Sequence, residues 1–350
     1  MLRNSLRACM QSLVPATVAL LAVSVFSVAQ TTTPAPQNAP APAPPTAGKQ
    51  PTAPAAGQQP TPTPGGDDNA EFTIRRSVDE VNLIFTVTDK RSGRFVSDLK
   101  QSDFALLDDQ KAPAKISKFT QQTNLPLRVG IVIDASTSIR QRFAFEQQSA
   151  AEFLAQVLRA KSDKAFVMGF DVVPDLKQDW TNNLDLLDTG VNKLRPGGGT
   201  ALFDAVYTAC RDKLLDTSRG QEPVRKAMIL ISDGDDNQSR AYLDDAIKMC
   251  QRAETIIYAI STNVSPSRGR GDAVLEKMSV ATGGTVYYPK KIEEMSQSFH
   301  DIEEELRSQY ALSYTPADFK PDGSFRTIYL FATDRKYIVR ARKGYFAPKQ

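Results

Sequence analysis

Three short stretches of the chain set oxygen-bearing side chains against apolar or glycine-rich runs. Asp134-Ala135-Ser136-Thr137-Ser138 follows the apolar run Val129–Ile133. Gly197-Gly198-Gly199-Thr200 precedes an apolar-periodic segment, and Ser232-Asp233-Gly234 closes the run Lys226-Ala227-Met228-Ile229-Leu230-Ile231. Asp134, Ser136, Ser138, Thr200 and Asp233 together offer two carboxylates and three hydroxyls, with neither sulfur nor imidazole. Hard oxygen donors of this kind suit a divalent cation, Mg²⁺ first, with Mn²⁺ or Ca²⁺ as alternatives. Each stretch alone has a plainer reading. The first could be a helix N-cap, the second a tight glycine turn, and the third a polar turn with Asp235 and Asp236 in solvent.

The elements that must position these residues alternate. Strand-like Arg128–Asp134 is followed by a helix over 141–159, with Phe145, Phe153, Leu154, Val157 and Leu158 at helical spacing. Further strands are expected at 164–170, 173–178, 226–232, 255–261 and 284–289, and further helices near 183–194, 201–215, 241–252, 272–281 and 291–308. This order predicts a Rossmann-like, doubly wound α/β domain with a mainly parallel sheet, spanning 125–308. Ligands of such sheets bind beyond the carboxyl ends of the strands, where the strand order reverses. If the strands ending at Asp134 and Ser232 are neighbours there, the three stretches meet. Before and after this domain the pattern is β-rich, over 71–124 and 309–350, including a hairpin expected around Asp108-Asp109-Gln110. The flanks are each too small to be stable alone, and they are expected to pack together as one small β-sandwich into which the α/β domain is inserted.

The combination Asp-x-Ser-x-Ser, Gly-Gly-Gly-Thr and Ser-Asp-Gly resembles the metal-ion-dependent adhesion site of the von Willebrand factor type A (VWA) domain. That resemblance implies that Ser136, Ser138 and Thr200 touch the metal, and that Asp134 and Asp233 hold it mostly through water. It also implies an open metal position that takes an Asp or Glu from a protein partner. The flanking stretches "DLKQSDFALLDDQKAPAKISKF" and "YALSYTP…FRTIYLFA…VRARKGYF" resemble a narrower set, the secreted VWA-related proteins of acidobacterial type.

The remaining sequence bounds the function. Arg3 and Arg7, the apolar stretch Val14–Val28 and the small-x-small exit Ser27-Val28-Ala29 read as a signal peptide over 1–29. Export to the periplasm, cell surface or medium follows, with no integral membrane span left after cleavage. Residues 30–70 read as a disordered Pro/Ala-rich linker, and eleven of the chain's 22 prolines lie in 31–66. Beyond the signal, 41 basic residues face 40 acidic ones, so there is no basic excess to suggest nucleic-acid binding. Arg140, Arg268 and Arg270 are expected on the rim of the metal-bearing edge, where they would favour an acidic partner. Arg270-Gly271-Asp272 spells an adhesion tripeptide, but Asp272 is also well placed to cap the helix that follows.

Cys210 and Cys250 sit at similar depth on helices expected on one face of the sheet. A disulfide and a pair of buried thiols both fit, the disulfide requiring Cα atoms within ~7 Å. His300, the single histidine, lies in an acidic helix far from the candidate serines. No phosphate loop of the Gly-x-x-x-x-Gly-Lys type occurs, and a phosphotransferase with Asp134 as nucleophile would want an Asp where Ser136 stands. The expectation is a non-enzymatic, exported binding protein. The alternative is a structural or scaffold subunit of an envelope complex that uses the same site for a fixed partner.

Overall fold

From Val129 to Ile133, strand β4 (Leu127–Asp134) is an uninterrupted run of apolar residues and glycine up to its final Asp, as expected of a strand covered on both faces. It lies at the centre of a six-stranded sheet in a computed structural model of the chain. That structure describes residues 80–121, 125–137, 143–215, 224–263, 265 and 267–349. The expected signal peptide, the linker and the start of the N-terminal flank lie outside the described residues. All the described residues belong to one compact unit, Thr73–Gln350.

The central sheet runs β6-β5-β4-β7-β8-β9, with β5 (Lys164–Phe170), β6 (Pro174–Thr181), β7 (Arg225–Ser232), β8 (Ile256–Ser261) and β9 (Val286–Tyr287). All pairings are parallel except the β5–β6 edge. The order reverses between β4 and β7, which are direct neighbours. Helices α1 (Phe143–Val157), α2 (Leu184–Asn192) and α6 (Ile292–Arg307) cover one face, where Phe153 packs on Phe299 with ring centroids 5.0 Å apart. Helices α3 (Leu202–Thr208), α4 (Leu243–Arg252) and α5 (Arg270–Thr282) cover the other. The helix expected over 201–215 thus divides. Its second half, Ala209–Leu214, is a π-helical turn that still buries Cys210 and Leu214. Cys210 is disulfide-bonded to Cys250 of α4, with Cα atoms 5.0 Å apart.

The flanks form two antiparallel sheets around a shared core. One has the order β12-β1-β10-β3, from β1 (Val81–Asp89), β3 (Lys115–Gln121), β10 (Tyr310–Thr315) and β12 (Tyr337–Ala341). The other has the order β13-β11-β2, from β2 (Phe104–Asp108), β11 (Phe325–Ala332) and β13 (Gly344–Phe346). Each sheet mixes strands from both ends of the chain, and Leu83, Phe85, Leu106, Tyr310, Tyr314 and Ile328 fill the space between them. Buried Asp108 ties this core, accepting hydrogen bonds from Tyr314 (2.7 Å), Tyr345 (2.9 Å) and Arg326 Nε (2.7 Å).

The hairpin expected around Asp108-Asp109-Gln110 needs correction. The turn is there, with Asp109 and Gln110 at φ 46° and 66° and a bridge from Asp108 to Lys111. The strands on either side do not pair, however: β2 joins β11 and β3 joins β10. Pro113, two residues beyond that bridge, has no N–H to extend a ladder.

The inserted domain leaves and re-enters the sandwich at one place, because Gln121 at the end of β3 pairs with Tyr310 at the start of β10. Buried Glu305 of α6 bridges the two parts, accepting from Thr86 (3.0 Å) and Arg340 (2.7 Å).

Candidate metal centre

Asp134 is the last residue of β4, and its side chain is fully buried at the carboxyl edge of the sheet. One carboxylate oxygen accepts the Ser136 backbone N–H at 2.8 Å, which folds the chain back over it. The other accepts the hydroxyl of Ser232, at the end of neighbouring β7, also at 2.8 Å. Burial pushes the Asp134 carboxyl up to about 6, against the hydrogen bonds from Ser136 and Ser232, and the charge of nearby Asp233 pushes it the same way. A buried carboxyl beside a second carboxylate is a place where a cation would relieve two like charges at once.

The loop ahead of α3 docks against this strand end. Gly197 N–H donates to the Ala135 carbonyl (2.7 Å), and the Thr137 hydroxyl to the Gly198 carbonyl (3.3 Å). The loop after β7 closes the third side. Asn237 holds Thr200 by two hydrogen bonds: its Oδ1 accepts the Thr200 N–H and its own N–H donates to the Thr200 carbonyl, both at 2.9 Å. A side chain on Gly199 would meet Asn237 Oδ1 at 2.7 Å, so this approach requires glycine there. Gly234, at φ +83°, turns the chain immediately after Asp233, and a Cβ on it would lie 2.2 Å from the Gly271 carbonyl.

The three loops therefore meet around Asp134, Ser136, Thr200 and Asp233. Ser136 and Thr200 are buried, at 2% and 5% exposed. Ser138 and Arg140 lie outside the described residues. Among the described residues no three Asp, Glu, His or Cys side chains gather to hold a metal, so a cation here would depend on the hydroxyls beside the two carboxylates. The donor set, all hard oxygen, fits Mg²⁺, Mn²⁺ or Ca²⁺.

Several residues that build the site carried no signal in the sequence. Ser232 bonds Asp134 and accepts the Gly234 N–H at 3.0 Å. Asp236, expected in solvent, instead caps α3 by accepting the Phe203 N–H at 3.0 Å. Asp204 of α3 returns the favour to the same loop, accepting the Arg240 and Ala241 N–H groups at 3.1 and 2.8 Å. Apart from the Gly234 N–H, their partners lie more than 30 residues away, so only the fold brings them together.

The outer edge carries the rest. Arg268, on the connection between β8 and α5, and Arg270, the first residue of α5, are exposed. The Arg268 guanidinium lies 4.1 Å from the Tyr288 ring centroid and 3.7 Å from Glu276. Asp272 is buried and accepts from the Gly269 N–H (2.9 Å), the Ser261 hydroxyl (2.6 Å) and Asn263 (2.7 Å). It caps α5 and is not displayed for adhesion. His300 is exposed beside Glu303.

A six-stranded sheet whose order reverses between β4 and β7, with these loops at the reversal, defines a class of α/β domain. The chain belongs to the von Willebrand factor type A domain family, which matches residues 129–304. Similar solved structures include a minor pilin, PilB, from Streptococcus sanguinis (12% identity, 53% of this chain and 62% of that chain, TM-score 0.42). A von Willebrand factor type A protein from Catenulispora acidiphila is 15% identical over 70% of this chain and 72% of that one (TM-score 0.44). Proximal thread matrix protein 1 from the mussel byssus, solved with a zinc-occupied MIDAS motif, is 15% identical over 57% of this chain and 50% of that one (TM-score 0.45). The chain thus spans about three fifths of the pilin and half of the byssus protein. No curated protein matches it.

Proposed function

We propose that this chain is an exported, non-enzymatic binding protein that grips an acidic side chain of a protein partner through a divalent cation. The observation that carries this reading is the meeting of three oxygen-rich loops around a buried Asp134 at the reversal of strand order. Ser136, Ser138 and Thr200 would supply hydroxyl oxygens, and Asp134 and Asp233 the charge that holds the ion. A bound cation would supply a vacant coordination position for the partner's Asp or Glu. The chain's own part is to fix the donors: Ser232 orients Asp134, Asn237 anchors Thr200, and Gly234 aims Asp233.

The reading places Arg140, Arg268 and Arg270 on a basic rim that favours acidic ligands, and Mg²⁺ as the resident ion. It places the chain in the secreted VWA-related set, since strands from both flanks complete one sandwich around the inserted domain. Export rests on the N-terminal signal-like segment, with 30–70 as a tether. Among the described residues no helix is long and apolar enough to cross a membrane.

Calorimetric titration of the purified mature chain with MgCl₂ and MnCl₂ tests the metal directly. Saturable binding is expected, lost in Asp134→Ala while the circular dichroism spectrum stays unchanged. Equal affinity in wild type and variant would overturn the assignment.

A further inference from the structure

A cavity of about 480 Å³ lies where the end of α4 meets the sandwich. Arg252 and Glu254, at and just beyond the end of the helix, line one side. Arg342, Phe346 and Lys349 line the other. The size is that of a pocket for a small molecule, ~300–1,000 Å³.

The cations are held in place by neighbours that leave their charge largely uncancelled. Arg342 is buried and donates to the Asn82 carbonyl (2.7 Å) and to Glu254 Oε1 (2.9 Å). A guanidinium carries five N–H donors in a planar fork, so others are left for an incoming oxyanion. Glu254 reaches Arg342 from a left-handed backbone, φ 53°, and its side chain is 58% exposed. A pair so open to water holds weakly and can be parted. Arg252 sits in the last turn of α4, where a cation suits the helix dipole. Its guanidinium lies 4.3 Å from the centroid of the Phe346 ring, and Phe346 packs in turn on Phe325, with centroids 5.0 Å apart. The ring fixes Arg252 at the cavity wall without neutralising it. Among the described residues no carboxylate pairs with Arg252. Lys349 is exposed and lies across the turn at Gly323, where a Cβ would meet its Cε at 2.5 Å. Arg252, Arg342 and Lys349 thus line the cavity against the single carboxylate of Glu254, an excess of two positive charges.

We propose that this cavity binds a small, doubly charged oxyanion, a phosphate or a dicarboxylate, between Arg252, Arg342 and Lys349. Planar guanidinium groups match both head groups by paired N–H donors. Glu254 is the internal competitor for Arg342, and the ligand displaces it or shares the fork with it. The site stands apart from the metal centre, because α4 runs from the carboxyl edge of β7 to the amino edge of β8.

The full chain is titrated calorimetrically, in metal-free buffer of low ionic strength, with inorganic phosphate, with succinate, and with acetate as the singly charged control. Saturable one-to-one binding is expected with a dianion, the tighter of the two identifying the preferred head group, and at least tenfold tighter than acetate. Arg252→Gln, at an exposed position, should raise Kd at least tenfold. Glu254→Gln, which removes the competitor, should lower Kd about threefold or more, whereas a merely structural role for Glu254 would weaken binding. Asp134→Ala should leave Kd unchanged. The proposal fails if neither dianion saturates, if acetate binds as tightly, if Arg252→Gln binds like wild type, if Glu254→Gln does not tighten binding, or if Asp134→Ala abolishes it.

Discussion

Replacing both half-cystines, Cys210→Ala with Cys250→Ala, should cost the fold about 4 kcal/mol. The bond joins the π-helical turn after α3 to α4, closing a loop of sequence separation 40. In the chain-entropy account, releasing a loop of that size returns ~13 cal/mol/K to the unfolded chain, or ~4 kcal/mol at 25 °C. Both residues are fully buried in the core between the sheet and α3–α5, so the lost sulfur volume adds a cavity cost in the same direction. Urea unfolding, followed by Trp180 fluorescence and circular dichroism, measures the difference. With m of ~3 kcal/mol/M, the midpoint should fall by ~1.3 M. Added reductant should lower the wild-type midpoint and leave the variant's unchanged. A midpoint shift below ~0.3 M, or a reductant response in the variant, would refute the reasoning.

Deleting 309–350 removes β10 from between β1 and β3. Limited proteolysis should then cut readily within 80–121, and unchanged resistance there would contradict the shared sandwich. Burial raises the Glu305 carboxyl above its ordinary 4.5, opposed by Arg340 and Thr86. The stability linked to that proton is fully present below about pH 4.5 and is lost as pH rises through the raised value. Relative to Glu305→Gln, the wild type should therefore lose stability as pH increases from 4.5, as read by urea midpoints of both proteins across pH 4–8. A difference that stays flat or grows in the wild type's favour would refute it.

What the sequence carried and what it withheld follow from how far each signal reaches. The α/β order was legible because strands such as Leu127–Asp134 and Arg225–Ser232 are short apolar runs ended by small polar residues, and the helices between them show their own period. The candidate donors were legible because Asp134, Thr200 and Asp233 each sit at or beside a strand or helix end, a local property. What joins them was not. Ser232 reads as the last residue of a strand, and Asn237 and Asp236 read as parts of a polar turn, until β7 lies beside β4 and α3 lies above the loop. The turn at Asp109-Gln110 was visible from composition. Which sheet each neighbouring strand would enter was not, because an alternating pattern names a buried face without naming the partner strand. The break of the helix into a π-helical turn at Ala209 likewise left no mark on the apolar spacing.

Strand β4 carries opposite chemistry at its two ends. Its amino end follows β3 out of the sandwich, where Gln121 pairs with Tyr310, and bears Arg128, in register with Lys164 of β5 and Lys226 of β7. Its carboxyl end bears Asp134, six residues or ~20 Å further along at the usual rise of a strand. Between them lie residues with no charge: Val129, Gly130, Ile131, Val132 and Ile133. That dry stretch is what the core is built around, so the fold's stability is vested in the middle of the strand and in the sandwich at its amino end. The carboxyl loops contribute little apolar burial and instead concentrate like charge, Asp134 beside Asp233. A binding site placed there can hold groups that burial disfavours, because the sheet beneath it does not depend on them. On the proposed metal reading, the same separation makes Asp134→Ala a sharp test: the cation should be lost while the fold, carried by the middle of the strand, stays intact.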